Sequence, residues 1–147
     1  CADSYIMQTG DQVGIRESRR LVGSYVMQLE DIRQGTIFDD RIVRAKWAHC
    51  DVHSGKNMQW SFSFIEGPFY IPLRSLLPIE IKNLLVAGRC ISASREVLSS
   101  LRIQPIGAAM GQAAGTAAAL TIDGGTLLEE LSWKKLQDAL RSDGVVL

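Results

Sequence analysis

The chain has 147 residues, 46% of them apolar and 22% charged, enough apolar material for one buried core and too much for a disordered segment. Sixteen basic residues balance sixteen acidic ones with no long run of either sign, which argues against nucleic acid or an anionic membrane surface as partner. The three cysteines, Cys1, Cys50 and Cys90, are odd in number and far apart, unlike a disulfide-stapled secreted domain; they lean toward a reduced, cytoplasmic setting and leave the compartment open.

The chain opens on Cys1 without a basic, apolar leader, as an excised or processed segment would. Residues 19–27, RRLVGSYVM, alternate roughly in the strand period. LEDIRQG then reads as a short helix closed by Gly35 as a left-handed cap. RIVRAKWAH, residues 41–49, is a second strand candidate, and HCDVHSGKN is polar and turn-rich.

The alternating MQWSFSF puts Met58, Trp60, Phe62 and Phe64 on one face of a strand, with Asn57 or Gly55 making the preceding turn. Gly67-Pro68 breaks that strand and FYIPL resumes in extended form. Pro72 and Pro78 then bracket a loop that can continue neither as sheet nor as helix. Leu84 to Ala87, apolar on both faces and ending at Gly88, has the pattern of a buried strand of a parallel sheet. Ligands of open α/β sheets bind outside the carboxyl ends of such strands.

After SASREVLSS comes RIQPIGAAMGQAAGTAAAL. Pro105 suits the first turn of a helix, where its missing N–H would have had no partner, and Gly124-Gly125 ends the helix near Ile122. Its apolar character comes from Ala and Gly with Gln104, Gln112 and two threonines, too weak for insertion as a membrane span. Gly107, Gly111, Gly115 and Ala119 recur every four residues and form a ridge without side chains, for close packing or for a flat ligand; the spacing alone leaves both open. A final amphipathic helix, WKKLQDALRS, follows Ser132 as cap and ends before Gly144.

A strand glycine followed by a proline-led helix aims backbone N–H groups and a helix dipole at one sheet edge, an arrangement for an electron-rich group. YIPLRSLLP, IKNLLVAGRCISASREVLSSLRIQPIGAAMGQAAGTAAAL and, upstream, GIRESRRLVGSYVM and EDIRQG together resemble the carboxyl-terminal part of the FAD-dependent oxidoreductase family of glutathione-reductase-like flavoproteins. The resemblance spans nearly the whole chain. It implies an α/β fold, α+β within this segment: part of a β-rich substrate domain over residues 1–80, then the last strand and helices of an FAD-binding domain over residues 81–147.

The resemblance implies FAD as cofactor, with Gly88 and Arg89 at the ribityl chain and Arg102, Ile103, Gln104 and Pro105 at the pyrimidine end of the isoalloxazine; Gly111 belongs to the closely approached ridge. Many relatives carry an acidic residue where Arg89 stands, and a guanidinium, which only donates, suits a phosphate better. The G-x-G-x-x-G fingerprint of the ADP half is missing: GDQVG at residues 10–14 has the wrong spacing, and GAAMGQAAG lies within a helix. A carboxyl-terminal portion of a longer enzyme, lacking the amino-terminal dinucleotide-binding half, fits that pattern.

His49, Cys50, Asp51 and His53 match no standard zinc spacing, so no metal is expected. The resemblance includes a D-x-H here on the substrate side, with Asp51 and His53 as pocket groups and His53 as candidate proton carrier; a solvated loop is the competing reading. Arg74 matches a family arginine and stands either against a carboxylate or the flavin, or in a structural salt bridge. Arg16, Glu17, Arg19 and Arg20 match too and favour structural ion pairs, Arg16 being the exception. Cys90 has no C-x-x-C partner and reads as a packed thiol. The function expected is hydride transfer between a small-molecule substrate and flavin in the full-length enzyme. The alternative is a non-catalytic domain that binds a protein partner or self-associates through its FAD-facing surface.

Overall fold

The computed structural model describes residues 3–53 and 60–147. In chain order the elements are α1 (Leu29–Gln34), β1 (Arg41–Ala45), β2 (His49–His53), β3 (Trp60–Phe64), β4 (Phe69–Pro72), a single 3₁₀ turn (Leu73–Ser75), α2 (Arg95–Leu101), α3 (Gln104–Gly124), a second 3₁₀ turn (Leu128–Glu130) and α4 (Trp133–Ser142). The fold is mixed α/β, with two small antiparallel sheets, β1 with β4 and β2 with β3.

Two-stranded ribbons are marginal alone, so each is backed by helix. α2 lies on β2, while α3 packs against β1 and α4. Phe69, Ile71, Ile42, Leu98, Leu101, Met110 and Leu136 are fully buried in the shared core. Cys50 of β2 joins it, its sulfur 2.9 Å from the Ser100 hydroxyl of α2. On β3, by contrast, Phe62 and Phe64 are 46% and 76% exposed and touch each other with ring centroids 5.6 Å apart.

The local signals in the sequence perform as expected at several points. α1 ends at Gly35 with φ 61°, and α3 ends one residue later than its first glycine stop, at Gly125 with φ 60°. Pro105 sits in the first turn of α3, and the chain between β3 and β4 breaks around Gly67-Pro68. Ser132 occupies the cap position of α4, although its side chain makes no capping bond there. Instead α4 is tied down by Gln137, whose amide donates to the carbonyls of Asp39 (2.7 Å) and Arg41 (3.0 Å).

Three expectations are corrected, and one helix had no sequence expectation at all. Residues 19–27 form no strand; they run as a strap bridged at single points, Gly23 to Pro78 and Met27 to Ala93. Residues 84–87 form no strand either: Val86 N–H donates to Leu76 O (2.9 Å), but no neighbouring strand supplies a ladder among the described residues, and Leu84 is exposed. The polar HCDVH is not a loop but strand β2, because pairing with β3 satisfies its backbone, Asp51 opposite Phe62 and His53 opposite Trp60. SASREVLSS contains helix α2, whose Ser94 hydroxyl accepts from Val97 N–H at 3.5 Å, a cap the sequence reading passed over. The turn assigned to Asn57 or Gly55, and Met58, lie outside the described residues.

The strap is stitched on both sides. Ser24 N–H donates to Leu77 O (2.9 Å) and Tyr25 N–H to Arg74 O (3.3 Å) on one side; Leu21 N–H donates to Cys90 O (2.8 Å) and Ser94 N–H to Met27 O (2.8 Å) on the other. At its centre Gly23 N–H donates to the Ser92 hydroxyl at 3.0 Å, and a Cβ on Gly23 would lie 2.7 Å from Ser92 Cβ. Backbone and side chain approach too closely there for any residue but glycine. Gly23→Ala is therefore expected to destabilise the fold by about 1–3 kcal/mol through overpacking. Ser75→Ala, which removes a buried hydroxyl with no hydrogen-bond partner among the described residues, should change stability by no more than about 0.5 kcal/mol or raise it. Urea denaturation of the two variants beside the parent reads both.

Candidate functional site

Between α2 and α3 the chain turns sharply: Arg102 caps α2, Ile103 is the extended residue before α3, and Gln104 and Pro105 open that helix. The first intrahelical bond of α3 is made by Gly107 N–H to Ile103 O, at 3.0 Å. The preceding amides, those of Gln104 and Ile106, have no carbonyl one turn back to accept from them, and the positive end of a 21-residue helix dipole points the same way.

In front of this turn lies an open pocket of about 370 Å³, lined by Gly88, Arg89, Leu101, Arg102, Ile103, Gln104 and Gly107. Gly88 has φ 87°, a conformation few side chains adopt, and a Cβ at Gly88 or Gly107 would meet nothing within 4 Å. The two glycines thus leave space that side chains would fill. Arg102 is held over the pocket by Glu17, its Nη1 2.8 Å from Glu17 Oε1, and its side chain is only 10% exposed. Glu17 also faces Arg95 at 3.8 Å, so one carboxylate from the amino-terminal segment joins two helix-terminal arginines.

On the other side of Arg89 is a second hollow of about 260 Å³, lined by Ile15, Arg16, Glu17, Ser18, Arg19, Arg89 and Cys90. Arg89 Nη1 donates to Ile15 O at 2.8 Å, which pins the amino-terminal segment against the Gly88–Cys90 turn. Cys90 is exposed here, not packed as its sequence context suggested, because the turn that carries it lies on the surface.

Of the sequence candidates, Gly88, Arg89, Arg102, Ile103 and Gln104 are brought together around the first pocket. Pro105 opens the same helix, with its ring outside the lining. Gly111 lies one turn further along α3, exposed, with nothing within 4 Å of a built Cβ; Gly115 is the same. The buried side of α3 is the opposite one, carrying Ile106, Met110, Ala113 and Ala117. Asp51 and His53 are placed by their backbone in β2, and their side chains lie outside what is described. Gly107, named from the sequence only as part of the ridge, enters the lining. Glu17, expected in a structural ion pair, makes one with Arg102 and Arg95, and these partners, Arg102 being 85 positions on, have no local signal in the sequence.

Among the described residues no group of His, Cys, Asp and Glu is arranged to hold a metal ion, and no helix is long and apolar enough to cross a membrane.

A family profile described as FAD dependent oxidoreductase matches residues 1–140. The chain belongs to that family. No curated protein and no solved structure matches it. The cofactor of this FAD-dependent oxidoreductase family chain is FAD, and its substrate is a small molecule.

Arg74 stands apart from both hollows. Its Nε is 3.5 Å from Asp40 Oδ1, its backbone N–H donates to Asp40 Oδ2 at 3.1 Å, and its guanidinium lies 4.9 Å from the Tyr25 ring and 5.5 Å from that of Phe38. Tyr25 in turn donates its hydroxyl to the Asp31 carboxylate, 2.8 Å from Oδ2. Burial, with that acceptor and its negative charge, pushes the Tyr25 phenol from its ordinary 10.0 up to about 12. The protonated phenol is the form the folded state favours. Its contribution to stability is therefore complete below pH 10 and lost as pH rises from there through about 12. Comparing denaturation midpoints of the parent and Tyr25→Phe along that range should show the parent losing its advantage on the alkaline side alone.

Proposed function

We propose that the chain is the carboxyl-terminal portion of a glutathione-reductase-like FAD-dependent oxidoreductase, and that the hollow before α3 receives the flavin. The observation that carries this reading is the convergence of Gly88, Arg89, Arg102, Ile103, Gln104 and Gly107 on one open pocket at a helix N-terminus.

When bound, FAD supplies two-electron hydride chemistry. The chain's own residues supply the surroundings. The amides of Gln104 and Ile106 and the dipole of α3 favour an electron-rich edge, as the pyrimidine end of a flavin becomes on reduction. Arg102 adds a fixed positive charge, held in place by Glu17. Gly88 and Gly107 let a flat ring system approach the backbone. Arg89, which lines this pocket on one side, turns part of its guanidinium fork to the ribityl chain or to a phosphate. Asp51 and His53 of β2 are proposed as groups of the substrate pocket, His53 carrying a proton. Arg74, ion-paired with Asp40 and stacked on two rings, is proposed to reach substrate or flavin only indirectly, through the position of the 3₁₀ turn it belongs to.

Gly107→Leu separates this reading from simple packing. With no described atom outside the neighbouring backbone of α3 within 4 Å of the added Cβ, the variant should fold at least as stably as the parent, the helix gaining up to about 1 kcal/mol. Flavin occupancy of the enzyme carrying this segment together with a G-x-G-x-x-G half should fall about tenfold or more, read from the visible flavin spectrum. Full occupancy in that variant would remove the pocket from consideration.

One observation favours a second reading. The ridge of Gly111 and Gly115 is bare and exposed, as a surface for close contact with another protein segment would be. On that reading the 147-residue chain binds no flavin even with the G-x-G-x-x-G half restored, and it sediments as a dimer that Gly111→Leu converts to monomer.

A further inference from the structure

Beside the flavin pocket, the second hollow carries an unusual balance of charge. Three arginines, Arg16, Arg19 and Arg89, line it together with a single carboxylate, Glu17. That carboxylate is committed elsewhere: its two oxygens lie 2.8 Å from Arg102 and 3.8 Å from Arg95. No carboxylate pairs with Arg16, Arg19 or Arg89 among the described residues. Arg89 spends one N–H on Ile15 O and keeps the rest of its fork. Guanidinium groups stay charged at any physiological pH, so the hollow has three positive charges against one carboxylate that is already ion-paired with Arg102. A concave wall of one sign concentrates small anions.

The position of the hollow is as informative as its charge. Arg89 belongs to the lining of both cavities, so whatever binds on its far side is one side chain away from the flavin pocket. A flavoenzyme needs a place for its second reactant next to the first. The wall is also well fastened for an amino-terminal segment: the Arg89 bond to Ile15, the Leu21 bond to Cys90 and the Glu17 bond to Arg102 hold residues 15–21 against the turn at 88–90.

We infer that Arg16 and Arg19, with Arg89, bind the carboxylate of the enzyme's small-molecule substrate, so that the substrate belongs to the organic acids. The inference rests on the flavin reading for the meaning of "substrate", but the anion site itself does not depend on flavin being bound. Each arginine offers a planar pair of N–H donors that matches the two oxygens of a carboxylate. The same donors would suit a pyrophosphate, and the two sources are told apart by the probes.

Calorimetric titration of the 147-residue chain at low salt with succinate, with its neutral analogue succinamide and with inorganic pyrophosphate tests this directly. Succinate should bind and succinamide should not. The double variant Arg16→Gln/Arg19→Gln, altered only in an exposed extended segment, should bind succinate about tenfold more weakly or worse. Arg141→Gln, on α4 and paired with Asp138, should bind it as the parent does. Absence of succinate binding, equal binding by the double variant, binding of succinamide, or tighter binding of pyrophosphate than of succinate would each overturn the assignment. FAD is titrated separately into the enzyme with its G-x-G-x-x-G half. Flavin binding without succinate binding sinks the carboxylate site alone; succinate binding without flavin binding sinks the flavin reading and leaves an anion site.

Discussion

Everything in this structure that resembles a site depends on one strap of backbone, residues 21–27, laid between the turn at 74–79 and the turn at 90–94 and hydrogen-bonded to both. The strap is neither helix nor strand, and its bonds are single stitches and not a ladder. Buried backbone groups that fail to pair are costly, so these stitches fix its course as firmly as a sheet would. Gly23, in contact with Ser92, sets how closely strap and turn can meet. From that fixed course the preceding residues are delivered to the Gly88–Cys90 turn, and Glu17 to Arg102.

The two hollows follow from this arrangement. α3 alone would offer a helix end, which attracts any anion weakly and none in particular. The Gly88 turn alone would offer a bend. Brought together, with Arg102 held by Glu17, they form a shaped wall in which charge, amide donors and bare backbone coincide. The bare backbone is confined to the outer side of α3, while Ile106, Met110 and Ala113 hold its inner side to the core. One helix therefore serves packing on one face and access on the other.

The parts legible in the sequence are those governed by neighbours along the chain. Gly35 and Gly125 end helices because the left-handed conformation suits glycine, and Pro105 opens one because a missing donor is harmless there. The local signals RIQP and the glycine of VAGR marked a helix start and a turn, whereas the gathering of Gly88, Arg89, Arg102, Ile103 and Gln104 at one place was implied by the family resemblance alone. What was not legible depends on distant partners. HCDVH has the composition of a loop and becomes strand β2 because β3 faces it. NLLVAG has the composition of a buried strand and stays irregular because no ladder faces it among the described residues. Cys90 read as packed and is exposed, since thiol burial is decided by where the turn lies and not by the thiol. Glu17 gives no hint of an arginine 85 positions on.

The Glu17–Arg102 contact also says something about the order in which the molecule is made. α3 and its dipole need only a stretch of contiguous chain, and helices of that kind form early. The ion pair closes a loop of 85 residues, an entropic cost that has to be met before the contact returns anything. During folding the helix end therefore exists well before the wall that gives it selectivity. A chain released or cut before residues 15–27 have docked would carry an intact α3 without the Glu17 carboxylate against Arg102, leaving the helix end a less discriminating binder of anions until the last segment closes.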